Sequence, residues 1–171
     1  MSGGTQPLKP QAIVLDTCVW LNSQMGSNPG HEDARELIIA AHRSGARLGI
    51  AAHSIATMFY VLERFFRRLD AASEIAGEKH SQNAAKEAAW AIVNGIMEYA
   101  EVIGMDGSDA RIAALYKSAH DDFEDDLVIA AAHRMGADLI VTDDLAFVKH
   151  SPLPTMTAQD ALRWILGCPS R

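Results

Sequence analysis

The sequence predicts an α/β fold in three layers, with a central, mostly parallel sheet covered by helices on both faces. Three observations carry that expectation. Apolar runs of strand length recur along the chain, each opening or closing on a turn-forming or acidic residue. Segments of helix length, with apolar residues three and four positions apart, lie between them. Alternation of this kind requires crossover connections, which make neighbouring strands parallel and bury both faces of the sheet. With 171 residues, 49% of them hydrophobic, the chain can bury one substantial core and is too short to divide it comfortably. We therefore expect a single domain over residues 11–167, preceded by a flexible segment, residues 1–10, of sequence MSGGTQPLKP.

The first strand is read from AIVL at 12–15, which stops at Asp16 and polar Thr17. The segment after Pro29 opens with Glu32 and Asp33 and continues through Leu37, Ile38 and Ala41, so its acids sit where a helix dipole favours them. LGIAA at 48–52 follows the break at Gly45 and gives a second strand, and a helix is expected over 55–69. The Ala-rich, polar stretch 72–89 reads as part of a long exposed helical hairpin, with a helix over about 82–100. A weaker strand is read at Glu101 to Met105, then helices over 109–119 and 122–135. DLIVT at 138–142 follows Gly136 and ends at Asp143 and Asp144, and a last helix over 157–166 takes Thr157 as its N-cap.

Fifteen basic residues against 22 acidic give a net charge of −7, the wrong sign for a module that holds nucleic acid by general attraction. It leaves a nuclease open, because carboxylates gathered around a divalent cation add to the same total. Neither a secretory core nor a membrane span can start in the first ten residues, so a soluble, cytoplasmic protein is expected. Cys18 and Cys168 lack zinc spacing and read as packing or tail residues in a reducing compartment.

The acids are the informative feature. Ligands of open α/β sheets bind beyond the carboxyl ends of the strands, and two predicted strands deliver Asp16 and Asp144 there. On the wheel of DDFEDDLVIAAAHRMG, Asp122, Asp125 and Asp126 fall within about 100°, while Phe123, Leu127, Ala130 and Ala131 form a separate apolar stripe. Asp121 and Glu124 point elsewhere. Two carboxylates about 5 Å apart repel by roughly 3 kcal/mol at an effective dielectric near 20. No Lys or Arg neighbours any of them in the sequence, so convergence requires a proton or a divalent metal. Mg²⁺ or Mn²⁺ suits an all-oxygen set and could activate a water for attack on a phosphodiester. The plainer reading takes the DDFEDD run as a solvated helix start, and Asp16 and Asp144 as caps or turn residues.

With these residues in hand, the sequence resembles the PIN-domain superfamily, in particular its toxin-like, VapC-type branch. The likeness runs from about Ile13 to Leu162. It rests on IVLDTCVWLN, on DFEDDLVIAAAHRMGADLIVTDD, and on Phe147 followed by TAQDAL. It implies a Rossmann-like α/β/α fold, Mg²⁺- or Mn²⁺-dependent endoribonuclease activity on an RNA substrate, an antitoxin partner and a homodimer. By that likeness Asp16 and Asp125 would be direct or water-mediated metal ligands, Asp122 and Asp144 would complete the site, and Thr142 would support it. Asp126 and Asp143 are second choices. One position departs: many relatives carry an acid early in the second helix, where HSIATMFYVLERF offers Thr57, and Glu63 lies about 120° away around the helix. That departure favours the alternative of a catalytically weakened PIN-fold protein acting by RNA binding or protein–protein interaction.

Arg64, Arg67 and Arg68 read as a solvated face or as contacts to RNA phosphate or an acidic antitoxin segment. Phe59, Tyr60, Leu62, Phe65 and Phe66 read as core, or else as a dimer or antitoxin groove. Trp20, Trp90 and Trp164 read as core or edge packing, and His53 and His120 as residues that could approach the crevice. A phosphatase of the haloacid-dehalogenase type would also use a strand-end aspartate, but its DxDxT pattern is not met after Asp16.

Overall fold

The computed structural model describes residues 9–75, 83–117 and 122–167. The expected N-terminal segment at 1–8, the hairpin tip at 76–82, His120, Asp121 and Cys168 lie outside the described residues. The elements in order are β1 (Ala12–Leu15), α1 (Thr17–Gln24), α2 (His31–Arg43), β2 (Arg47–Ala51), α3 (Ala52–Ile75), α4 (Ala84–Tyr99), β3 (Glu101–Ile103), α5 (Gly107–Tyr116), α6 (Phe123–Met135), β4 (Leu139–Val141), α7 (Leu145–His150), β5 (Thr155–Met156) and α8 (Ala158–Leu166).

The strands form one sheet in the order β3-β2-β1-β4-β5, and every pairing is parallel. Both faces are covered, and the pleat sorts the side chains between them. Ile13, Leu15, Leu48, Ile50, Leu139 and Val141 pack on one side with Trp20, Leu37, Met58, Ala161 and Ile165. Ala12, Val14, Ala51, Ile103 and Ile140 pack on the other with Val128, Ile129, Ala132, Met135 and Phe147. The result is the expected three-layer α/β/α arrangement. None of the helices in the described residues is long and apolar enough to cross a membrane.

Four of the five strands are those the apolar runs predict. The two-residue β5, six-residue α7 and eight-residue α1 are additions. Each is too short for a period to register, and in α1 the adjacent Val19, Trp20 and Leu21 give no helical spacing. Two other readings are corrected and one open reading is decided. Phe123 is 57% exposed, outside the apolar stripe assigned to it. Helix α6 is instead buried without interruption from Asp126 to Ala132, because it lies between the sheet and α5. Of the two readings open for Trp90, core or edge packing, the structure takes the edge, with the ring 49% exposed and 4.9 Å from that of Phe59. The stretch 72–89 is not wholly exposed, since Ala85 and Ala89 are buried where α4 packs on α3 beside Leu62.

The placement of α6 matters most, because it carries Asp125. Its C-terminus is stopped by Gly136 in the left-handed region at φ 65°, and its last turn is tied to α5 by Arg134, which donates to Asp109 Oδ2 at 2.7 Å and Asp106 Oδ2 at 3.0 Å. Beneath it, Gly49 on β2 leaves room for Met135 and Ile103. A Cβ there would stand 2.5 Å from Met135 Sδ and 2.7 Å from Ile103 Cδ1. Gly49→Ala is therefore expected to destabilise the chain by about 1–3 kcal/mol through overpacking, read as a lower urea midpoint with unchanged slope.

Candidate functional site

β1 and β4 are adjacent, and the chain runs from β1 to β2 on one side while β4 and β5 lie on the other, so the strand order reverses between them. This switch point opens a crevice at the carboxyl ends of both strands. Asp16 follows β1, and Thr142, Asp143 and Asp144 follow β4. The two ends are joined by main chain and side chain. Asp16 N–H donates to Val141 O at 2.9 Å, and Thr142 Oγ1 donates to Asp16 Oδ2 at 2.8 Å.

Three of the acids cap helices. Asp16 is the N-cap of α1, accepting from Thr17 N–H on Oδ1. Asp122 caps α6, with Oδ1 accepting from the amides of Glu124 and Asp125 at 2.9 and 3.4 Å. Asp144 caps α7, with Oδ1 accepting from Ala146 and Phe147 at 2.7 and 3.2 Å. Capping engages one oxygen of Asp122 and of Asp144 and leaves the other carboxylate oxygen for solvent or a ligand. Asp16 is more heavily engaged, because Oδ2 also accepts from the Cys18 thiol at 3.1 Å. Its Oδ1 keeps the remaining acceptor capacity.

Asp125, one turn into α6, is half-buried among them. Burial pushes its carboxyl up to about 7, and the charges of Asp16, Asp122, Asp144 and Glu124 push in the same direction. The cluster therefore draws together all four acids expected there. It also includes Glu124, which the helical wheel turns away. Glu124 Oε1 accepts from Thr57 Oγ1 of α3 at 3.2 Å, so the hydroxyl at the position lacking a helix acid holds a carboxylate supplied by α6. His53, in the first turn of α3, lies at the same rim. Burial pushes its imidazole below the usual range, and the charges of Glu124 and Asp16 pull the other way.

The two second-choice acids sit differently. Asp126 is 2% exposed on the inner side of α6. Asp143 accepts from Asn22 Nδ2 at 2.8 Å and from Ala158 N–H at 3.1 Å, tying α1 and α8 to the end of β4. Cys18 does more than fill space. Its sulfur donates to Asp16 and accepts from Asp143 N–H at 3.3 Å, and burial holds the thiol up at about 12, protonated and able to donate. Neither Cys18 nor Glu124 has a sequence pattern of its own, since both acquire their contacts from elements distant along the chain.

Among the described residues, Asp16, Asp122 and Asp144 form no ion pair with Lys or Arg, and no three His, Cys, Asp or Glu side chains close into a ready cation cage. An open, all-oxygen rim with a crowded carboxyl fits Mg²⁺ or Mn²⁺, which take one or two direct carboxylates and keep several waters.

A family model of the PIN domain matches residues 12–146. No curated protein matches the sequence. Among solved structures, the chain is similar to Mycobacterium tuberculosis VapC20, described as a sarcin-ricin loop cleaving toxin, with 16% identity and a TM-score of 0.60 over 81% of this chain and 95% of that one. It is also similar to VapBC2 from Rickettsia felis bound to a DNA fragment from their promoter, with 13% identity and a TM-score of 0.58 over 85% of this chain and 98% of that one. At such identities the likeness is one of fold.

Two outcomes follow from the geometry. The unfolded chain releases the Asp125 proton near pH 4, whereas the folded chain holds it to about 7. The group's relative contribution to stability is thus present at low pH and lost as pH rises from about 4 through about 7. Asp125→Asn escapes that loss. Without metal it should match the wild type at pH 4 and melt higher at pH 8, by on the order of 1–2 kcal/mol once solvent screening of this half-exposed group is counted. Thr142→Val, which takes from Asp16 Oδ2 one of its two donors and from the Asp144 amide its acceptor, should cost about 1–3 kcal/mol in urea unfolding.

Proposed function

Because the chain belongs to the PIN-domain family, we propose that it is a Mg²⁺- or Mn²⁺-dependent endoribonuclease, acting as the toxin of a toxin–antitoxin pair. The observation that carries this reading is the crowded carboxyl of Asp125, raised to about 7 by burial and by four neighbouring acids at a sheet switch point. A structural cap gains nothing from such crowding, whereas a cation binder gains affinity from it. The cytoplasm is the compartment this reading implies, with an antitoxin and a second copy of the chain as protein partners. The fold shared with VapC20 and VapBC2 supports the same reading.

In this scheme Asp16 and Asp125 would hold the cation, directly or through water, and Asp122 and Asp144 would complete the acidic rim. Bound there, the cation would supply Lewis acidity and lower the pKa of a water for phosphodiester hydrolysis. The protein's part is orientation. Thr142 and Cys18 fix Oδ2 of Asp16, and the capping amides fix Asp122 and Asp144, so three carboxylates keep their direction without a bound ion. Thr57 keeps the Glu124 carboxylate at the rim, which weakens the case for a catalytically disabled relative.

A Mn²⁺ titration of cleavage on folded RNA tests the assignment. The wild type should cut only with added metal, and Asp16→Asn and Asp125→Asn should each lose at least about a hundredfold in rate, the scale of losing one well-placed electrostatic group. Full activity in both variants overturns the assignment. Since Asp125→Asn is expected to fold at least as stably as the wild type, its loss of activity cannot be put down to misfolding.

A further inference from the structure

Helix α3 starts at the carboxylate rim and runs 24 residues, longer than the sheet needs. Its inner face is settled: Ser54, Met58 and Leu62 are buried, with Ile55, Phe59 and Phe66 packed against the cores. The opposite face carries His53, Thr57, Tyr60, Val61, Arg64 and Arg68, which fall within an arc of about 100° at 100° per residue. Exposure rises along it, from half-buried His53 and Thr57 to exposed Tyr60, Val61, Arg64 and Arg68. One end of this stripe is therefore continuous with the acidic rim, through Thr57 on Glu124 and His53 beside Asp16.

The three arginines of this segment are not equivalent. Arg67 is committed, with Nε and Nη2 donating to Glu63 Oε1 at 3.1 and 2.7 Å on the flank of the helix. Arg64 and Arg68 form no ion pair among the described residues. In a chain of net charge −7, two adjacent uncommitted guanidinium groups leading into an acidic crevice are a local reversal of sign. Beside them Tyr60 is 68% exposed, with its ring braced edge-on by Phe59 at 5.5 Å. Phe59 is held from its other neighbour, Trp90 of α4, at 4.9 Å. A braced exposed aromatic with cations at the next turns fits a single strand of nucleic acid, which offers bases to stack and phosphates to pair.

We propose that this outer stripe of α3 is the track that leads single-stranded RNA to the acidic rim, with Tyr60 stacking on a base and Arg64 and Arg68 pairing with phosphates. The proposal rests on the nuclease reading above. From Thr57 to Arg68 the stripe spans about 16 Å, the length of about five stacked nucleotides or fewer extended ones.

The test is binding of a fluorescein-labelled 12-nucleotide oligouridylate to the full chain in EDTA, followed by anisotropy across a salt series, with melting temperatures confirming that each variant folds. Arg64→Ala/Arg68→Ala should weaken binding at least about tenfold and flatten the slope of log K against log salt by about 1.4, the share of two phosphates on a single strand. Tyr60→Ala should cost about tenfold and Tyr60→Phe little, because the ring stacks without its hydroxyl. Arg67→Ala should leave both affinity and slope unchanged. Wild-type binding and metal-dependent cleavage that the double variant retains in full overturn the track while leaving the nuclease reading intact. Absence of both binding and cleavage in the wild type overturns both. If instead the wild type sediments as a dimer that Tyr60→Ala dissociates, with RNA affinity unchanged, the stripe is a contact between copies and the track is overturned.

Discussion

The hydrogen bond from Thr142 to Asp16 joins the carboxyl ends of β1 and β4 at the point where the strand order reverses. Most of the site's geometry depends on it. Thr142 is fully buried, so its hydroxyl has no solvent to fall back on, and it also accepts the Asp144 amide at 3.1 Å. One side chain thereby sets the spacing of two acids 128 positions apart in sequence. Asp143, between them, faces the other way and anchors α1 and α8. Consecutive residues at the end of β4 thus divide the work, one holding the rim and one holding the scaffold.

Capping and ligand binding are often treated as competing explanations for an acid at a helix start. Here the two would use different oxygens of Asp122 and Asp144. Asp122 and Asp144 give one oxygen to backbone amides and keep the second, and the positive ends of α6, α7 and α1 offset part of the repulsion among the acids. The offset is incomplete, as the raised Asp125 carboxyl shows. Helix starts therefore explain why the folded chain tolerates three of these acids. They do not explain Asp125, one turn further in, where burial and four like charges act together.

Net charge alone would have argued against nucleic acid as a partner. The distribution of that charge is what the proposed RNA track rests on, since acids gather at the crevice while Arg64 and Arg68 lie uncommitted on the helix leaving it. Long-range repulsion from a negative chain is screened within about 10 Å at moderate salt, so local groups decide where a phosphate backbone can settle. The same helix carries a buried face into two cores and an exposed face that begins at the acidic rim.

The strands were legible because runs such as AIVL and LIV are apolar at every position, the pattern expected of a sheet buried on both faces. Helices α2, α3, α4 and α8 were legible from their spacing, and Asp16 and Asp144 from their position after strands. Helix α6 shows no apolar stripe, because burial on almost every side erases it, and so the helical wheel does not place Phe123 and Glu124 on the faces they occupy. The sequence by itself determined four of the five strands and the long helices in their order, since hydrophobic periodicity is a property of neighbours along the chain. Only the tertiary structure decided that Thr57 meets Glu124, that Cys18 and Thr142 share one oxygen of Asp16, and that four acids crowd Asp125. Those contacts join segments up to 126 positions apart, and no local pattern carries the information that brings them together.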